Sequence, residues 1–497
     1  MTATQSLPVE TAHSVAPLEG ARWDLLVVGG GTAGIVAAKT AAGFGASVLL
    51  VERDRTGGDC LWTGCVPSKA LLTAAHAAAD ARSASRYGVN VSGVAVDFAE
   101  VMVHVRRAIT TIEPTDSPAA LRAAGVHVAH GTAHLTGPQT ARVGDSIVGF
   151  AQALLASGAA PTIPPIPGLT DASPWTSETI WSLPALPTRL LVLGGGSIGC
   201  ELGQAFARLG TAVTVVEAAP RLLPREDPDA AALITQTLAA DGVTVRTGAT
   251  VTAVTVISGR APGWRAELAD GTEVVFDEVL VAVGRRPRTT GLGLDRAGVA
   301  VDGRGFVQVN ARLQTANPRI WAAGDLTGHP PFTHTAGVHA SLAAGNAVLG
   351  LRRTVDVATI PRVTFTQPEV AAVGVSAEQA GPQSGLMVRT IQHAEVDRAI
   401  TEGHVAGFSR LILDRKGRVV GATIVGPRAG ESLPEVVLAA RHGLRARDLA
   451  AATHAYPTYS DGVWKAGIDH VQHQLHEPGM RRVTSALRTV RRAWLAR

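Results

Sequence analysis

Two stretches of the chain share one pattern of apolar and glycine positions. Leu25-Leu26-Val27-Val28 runs into Gly29-Gly30-Gly31-Thr32-Ala33-Gly34, then an alanine-rich segment, then Ser47-Val48-Leu49-Leu50-Val51-Glu52. Leu190-Leu191-Val192-Leu193 runs into Gly194-Gly195-Gly196-Ser197-Ile198-Gly199, a helical segment, and Ala212-Val213-Thr214-Val215-Val216-Glu217. Each predicts a buried strand, a tight glycine turn, a helix and a second strand. In both copies the glutamate follows twenty-three residues after the first glycine, the spacing of a dinucleotide site. Gly29 and Gly194 make the turn, Gly31 and Gly196 let the backbone approach a pyrophosphate, and Gly34 and Gly199 pack helix on strand. The helix N-terminal amides then face phosphate, and Glu52 and Glu217 accept from ribose hydroxyls. One fingerprint is a weak signal; two with matched strands and acids are a strong one.

Elsewhere the pattern is plainer. Residues 156–168, rich in proline, read as a stiff crossing between domains. Val281-Ala282-Val283-Gly284-Arg285-Arg286-Pro287 marks a turn at Gly284, and Ile320-Trp321-Ala322-Ala323-Gly324-Asp325 reads as a buried strand ending in an acid. From about Pro361, strands such as Arg410–Leu413 and Val419–Val425 with following helices predict a separate α+β unit. Val483, Leu487, Val490 and Trp494 recur at helical spacing.

At 497 residues the chain has length for two to four domains. Aromatics are 4% of it, so its cores must rely on Ala, Val, Leu and close backbone approach. The longest apolar stretch, Leu25–Ala38, is broken by glycines and stopped by Lys39, well short of the roughly 20 residues that span a bilayer. The first twenty or so residues lack a basic start and an apolar centre, so no secretory signal is expected and the cytoplasm is the default location. The formal net charge is +4, yet every charged residue after Met480 is an arginine: 481, 482, 488, 491, 492 and 497. Without those six the chain holds 39 basic against 41 acidic residues. The basic excess thus belongs to an amphipathic last helix, expected to pack on its own subunit or to rest weakly on anionic lipid or a partner. No aromatic-rich basic surface suggests nucleic acid.

Cys60 and Cys65 are two of only three cysteines, in the run Gly57-Gly58-Asp59-Cys60-Leu61-Trp62-Thr63-Gly64-Cys65-Val66-Pro67-Ser68-Lys69. Residues five apart on a regular helix stand ~7.5 Å apart along its axis, so a bridge between them requires a departure from the helix, which Gly64 permits. A bridge closed under such constraint is easily reduced, as a catalytic disulfide must be. Half of a zinc site and a pair of unreacting thiols are the other readings, but Cys200 alone remains as a further thiolate and no metal is expected.

Together these motifs, from about Trp23 to His476, resemble the flavin-dependent pyridine nucleotide-disulfide oxidoreductases, the family of dihydrolipoamide dehydrogenase, glutathione reductase and mercuric reductase. The resemblance implies an α/β fold of two Rossmann-like dinucleotide-binding domains plus a C-terminal α+β dimerisation domain, working as a homodimer. It divides the chain into a tail (1–22), an FAD-binding domain (23–165), an NAD-binding domain (166–284), a second part of the FAD domain (285–355), a dimerisation domain (356–478) and the basic helix (479–497). FAD would lie on the first fingerprint with Asp325 on its ribityl or pyrophosphate region, and the nicotinamide cofactor on the second. Cys65 would be the flavin-proximal thiolate, Cys60 the exchange thiol, and Lys69 would pair with Glu201 beside the flavin N5. Glu217 favours NADH, because a carboxylate accepts from a free 2′-hydroxyl and repels a 2′-phosphate; Arg221 nearby would soften that rejection.

The resemblance fails at one place. In His454-Ala455-Tyr456-Pro457-Thr458-Tyr459-Ser460-Asp461, Tyr456 and Asp461 stand where disulfide-substrate members carry a His–Glu dyad. Ionising a phenol at neutral pH costs ~4 kcal/mol, so Tyr456 is a poor base for dithiol oxidation, though a useful donor to a quinone, an aromatic acceptor or a metal-bound group. Mercuric reductase proper carries a further cysteine pair near its C-terminus; this chain resembles the mercuric-reductase-like group without it. The expected activity is electron transfer from NADH through FAD and the cysteine pair to an unnamed small acceptor. Dihydrolipoamide dehydrogenase, with His454 or water as base, is the alternative, and a flavin-bearing redox sensor or membrane-associated scaffold the alternative of another class.

Overall fold

A computed structural model describes residues 18–257, 263–381 and 383–497. Most of the expected N-terminal tail, and with it the leader reading, lies outside the described residues. The chain divides into two compact units.

One unit holds the described residues up to Cys60 with Ile112–Ala160 and Arg286–Val355. Its strands β1 (Arg22–Val28) and β2 (Val48–Glu52) pair in parallel, Leu25 opposite Val48 and Val28 opposite Val51. Val126–His130 extends the sheet beyond β2, and Ser146–Leu155 lies on the other side of β1 and carries Ile320–Ala322, all parallel. Leu25 and Val27 are fully buried under helices on one face of the sheet, and Leu26 on the other face under residues 133–143 and 292–307. Helix α1 (Thr32–Gly43) packs on the helix Thr333–Leu349 through Ala33, Ala37 and Ala41 against Ala336, Ala340 and Ala344. Small side chains let the two backbones approach closely, the device expected of a chain poor in aromatics.

The other unit holds Leu61–Thr111, Pro161–Arg285 and Asp356–Arg497. A five-stranded parallel sheet runs in the order Thr244–Thr247, Ala212–Glu217, Arg189–Leu193, Glu278–Val281, Trp175–Thr176. A three-stranded antiparallel meander follows its second strand pair in the chain. The helix Ser197–Leu209 joins Arg189–Leu193 to Ala212–Glu217, and its Cys200, Leu202 and Phe206 share a core with Leu71, Leu72 and Ala75. After residue 361 comes a five-stranded antiparallel sheet, in which Phe408–Leu413 and Val419–Gly426 pair with Ser409 opposite Ile424. No helix among the described residues is long and apolar enough to cross a membrane.

The last helix, Pro478–Leu495, departs from one expectation. None of its residues is buried, so no described part of the chain covers its apolar stripe.

Candidate active site

Both glycine turns are built alike. Gly29 has φ +106° and Gly194 φ +104°, and a Cβ at either would strike a backbone oxygen, of Ala156 at 2.4 Å or Ala282 at 2.6 Å. A Cβ at Gly34 would sit 1.8 Å from Gly29 O, and one at Gly199 1.9 Å from Gly194 O, so each third glycine is what lets helix lie on turn. The helices α1 and Ser197–Leu209 begin at Gly31 and Gly196 without a side-chain cap. First-turn amides without a side-chain acceptor suit a pyrophosphate, and both fingerprints therefore fit a dinucleotide.

The carboxylates are held symmetrically. Gly30 N–H donates to Glu52 Oε2 at 2.5 Å and Asp54 N–H to Oε1 at 2.8 Å. Gly195 N–H donates to Glu217 Oε2 at 2.6 Å and Ala219 N–H to Oε1 at 2.7 Å. Each carboxylate oxygen keeps a lone pair for a ribose hydroxyl. Leu223 N–H donates to Gly195 O at 2.8 Å, which lays residues 221–223 along the second turn. The Arg221 guanidinium is bonded to Glu378 Oε2 at 2.9 Å and to Pro224 O at 3.3 Å. Both bonds use Nη2 alone.

Gly324, at φ +88°, follows the Ile320–Ala322 strand, and a Cβ there would lie 3.3 Å from the Ala33 Cβ. Asp325 thus opens a short turn beside the start of α1. Gly284 adopts φ +138° after the strand Glu278–Val281.

The cysteines occupy two successive helices. Cys60 is on α2 (Gly58–Trp62) and half-buried, and Cys65 is the first residue of α3 (Cys65–Ser83) and exposed. The helical path is broken at Thr63 and Gly64, where the spacing required a departure, and Trp181 Nε1 donates to Thr63 O at 2.8 Å. Gly57 N–H donates to Gly30 O at 2.9 Å, and a Cβ at Gly58 would stand 2.6 Å from Gly31 Cα. The start of α2 is thereby seated on the first glycine turn. Cys200 differs: it is buried, its thiol donates to Gly195 O at 3.4 Å, and burial pushes its pKa far above the usual thiol range.

Lys69 follows Cys65 by one turn on the same face of α3. Its Nζ donates to Glu201 Oε2 at 2.7 Å, while Phe365 N–H donates to Glu201 Oε1 at 2.9 Å. The ammonium lies 4.3 Å from the centroid of the Phe365 ring. An ammonium between a buried carboxylate and an aromatic face has its direction fixed. Nothing in the sequence marked Phe365, which lies 164 residues from Glu201.

Tyr456 and Asp461 do not form a dyad. The Tyr456 phenol donates to the Asp397 carboxylate, which raises the phenol pKa above its ordinary value. Asp397 also lies 3.5 Å from Lys465 Nζ. Asp461 is buried and accepts from Thr458 N–H at 3.4 Å. His454 Nε2 lies 2.8 Å from Glu435 Oε1, and its ring stacks on Trp464 with centroids 5.5 Å apart.

Comparison with known proteins agrees with this geometry. The family described as pyridine nucleotide-disulphide oxidoreductase matches residues 23–340, and its dimerisation domain matches 360–466. A mercuric reductase of Streptomyces lividans is 38% identical over 89% of this chain and 94% of its own length. A dihydrolipoyl dehydrogenase of Thermus scotoductus is 36% identical over 89% and 96%. The crystal structure of LpdA from Mycobacterium tuberculosis superposes with a TM-score of 0.83 at 28% identity, covering 90% of this chain and 99% of that one. The HOCl-induced flavoprotein disulfide reductase RclA from Escherichia coli, as its Cu(II) complex, gives 0.80 at 28% identity over 90% and 99%. With its two nucleotide folds, its cysteine pair and its dimerisation domain, the chain belongs to the pyridine nucleotide-disulfide oxidoreductases, enzymes that use FAD and NAD(P)H.

Proposed function

We propose that this enzyme oxidises NADH and reduces the Cys60–Cys65 disulfide, whose two thiols then reduce an acceptor other than a disulfide. The carrying observation is the seating of the start of the Cys60 helix on the first glycine turn; within the other unit, Lys69 follows Cys65 by one turn and is held by Glu201. In this reading residues 23–165 and 285–355 hold FAD, residues 166–284 hold the nicotinamide cofactor, and residues 356–478 join two copies. Bound there, FAD would supply two-electron transfer between a hydride donor and a disulfide. The net step consumes NADH, one proton and the sulfur–sulfur bond, and yields NAD⁺ and two thiols.

The chain's own residues have separate tasks. Glu52 and Glu217 orient the two riboses, and Asp325 the ribityl or pyrophosphate region. Cys60 exchanges with the acceptor. Cys65, at the positive end of a 19-residue helix and one turn from Lys69, sits where an anionic sulfur is favoured. Glu201 holds Lys69 in place as the ammonium that the family resemblance puts beside the flavin.

Tyr456 bears on the acceptor. With its proton committed to Asp397 and its pKa raised, it stays neutral and cannot relay protons for a dithiol substrate. A quinone or a thiol-binding metal ion needs no such base. A second reading, dihydrolipoamide oxidation, draws on the His454–Glu435 pair, a histidine and carboxylate already in contact. An anaerobic panel of lipoamide, quinones and mercuric ion, compared by kcat/KM, decides: robust lipoamide turnover favours the second reading and overturns the first.

A further inference from the structure

We propose that the Pro478–Leu495 helix lays this enzyme against an anionic lipid surface. Met480, Val483, Leu487, Val490 and Trp494 follow one another at alternating steps of three and four residues, so they form a single stripe along its 18 residues. All five are exposed, from 42% at Met480 to 67% at Val490. Arg481, Arg482, Arg488, Arg491 and Arg492 occupy the remaining arc, and no acid follows Glu477. The Arg491 guanidinium lies 4.3 Å over the Trp494 ring, at the border between the two faces.

Three occupants compete for such a face. Among the described residues its own chain does not cover it. A second copy of the helix would bring arginines against arginines with no carboxylate on either to interleave, which opposes pairing. The dimerisation-domain match ends at residue 466, so the helix lies outside that shared domain. An anionic bilayer suits both faces at once: the apolar stripe enters the acyl boundary, tryptophan sits at the interface, and the guanidiniums remain among phosphates. The helix is too charged to cross, so the contact is peripheral and sensitive to salt.

The test uses the FAD-loaded full chain, co-sedimented with vesicles of phosphatidylcholine containing phosphatidylserine, and with vesicles of phosphatidylcholine alone. Binding to the first and not the second, weakened by high salt, is expected. Leu487→Glu with Val490→Glu and Trp494→Glu should lower the bound fraction about tenfold, as should Arg488→Glu with Arg491→Glu and Arg492→Glu. Flavin content and NADH oxidation should be unchanged in both. Wild-type protein that stays in the supernatant, or binds both vesicles equally, overturns the proposal. So does a lower oligomeric mass of the apolar-stripe variant in lipid-free sedimentation velocity, which would make the stripe a contact between copies.

Discussion

Arg221 is bonded to Glu378, 157 residues away in sequence. A cation four residues after Glu217 is thus paired through one nitrogen with an exposed carboxylate, while Glu217 itself would repel a 2′-phosphate. Glu378→Gln should free the guanidinium and raise kcat/KM for NADPH about tenfold, with little change for NADH. Combined with Glu217→Ala the gain should be larger than either alone. An unchanged NADPH rate in both variants would show that Arg221 does not reach the nucleotide.

Lys69, Glu201 and Phe365 should respond unequally. Glu201→Gln keeps the acceptor for Phe365 N–H but removes the charge, and kcat should fall by about 10–100-fold with flavin retained. Lys69→Met leaves Glu201 buried with one donor, so it should also cost roughly 1–3 kcal/mol of stability, read by urea denaturation. Phe365→Leu removes only the ring beneath the ammonium, and a smaller fall, within about fivefold, is expected.

Cys60→Ser and Cys65→Ser should each abolish the gain of two titratable thiols on anaerobic NADH addition. The long-wavelength absorbance expected of the reduced enzyme should vanish with Cys65→Ser. Cys200→Ala should leave both signals, since its thiol is buried in the core and held to Gly195 O. If the wild type gains no thiols, the disulfide role is wrong.

Tyr456→Phe removes a donor and should leave lipoamide turnover at its low wild-type level. Tyr456→His puts a group titrating near neutrality at that position and should raise lipoamide turnover by at least about tenfold. Equal lipoamide rates in the two variants would show that the phenol is not what limits dithiol chemistry.

His339 and His393 are both buried, and burial lowers their pKa from 6.5 to about 4. The unfolded chain takes up protons at each as pH falls through 6.5, while the folded chain resists until about 4. Their contribution to stability is therefore complete above 6.5 and is lost as pH falls toward 4, at up to ~1.4 kcal/mol per pH unit for each site. The urea midpoint should decline across that window, and His393→Gln should flatten the slope.

The nucleotide folds were legible because their signals are local: Gly29, Gly31, Gly34 and Glu52 lie within one strand-turn-helix-strand unit, as do Gly194 to Glu217. The break between Cys60 and Cys65 followed from their spacing and Gly64. What the sequence hid are contacts that cross from one segment to a distant one. Phe365 reaches Glu201, Asp397 takes the Tyr456 proton, and Glu378 holds Arg221, none with a periodicity or motif to announce it. The Tyr456 loop was read by alignment of positions to a dyad, and it is the fold around Asp397 that gives the phenol a different partner.

Glu52 and Glu217 are each held by two main-chain amides, one from the glycine turn and one from just beyond the strand. Backbone that closes the turn thus also aims the carboxylate that a ribose would meet. A change that unsettles either turn should therefore loosen the nucleotide at that turn, even with the carboxylate itself untouched.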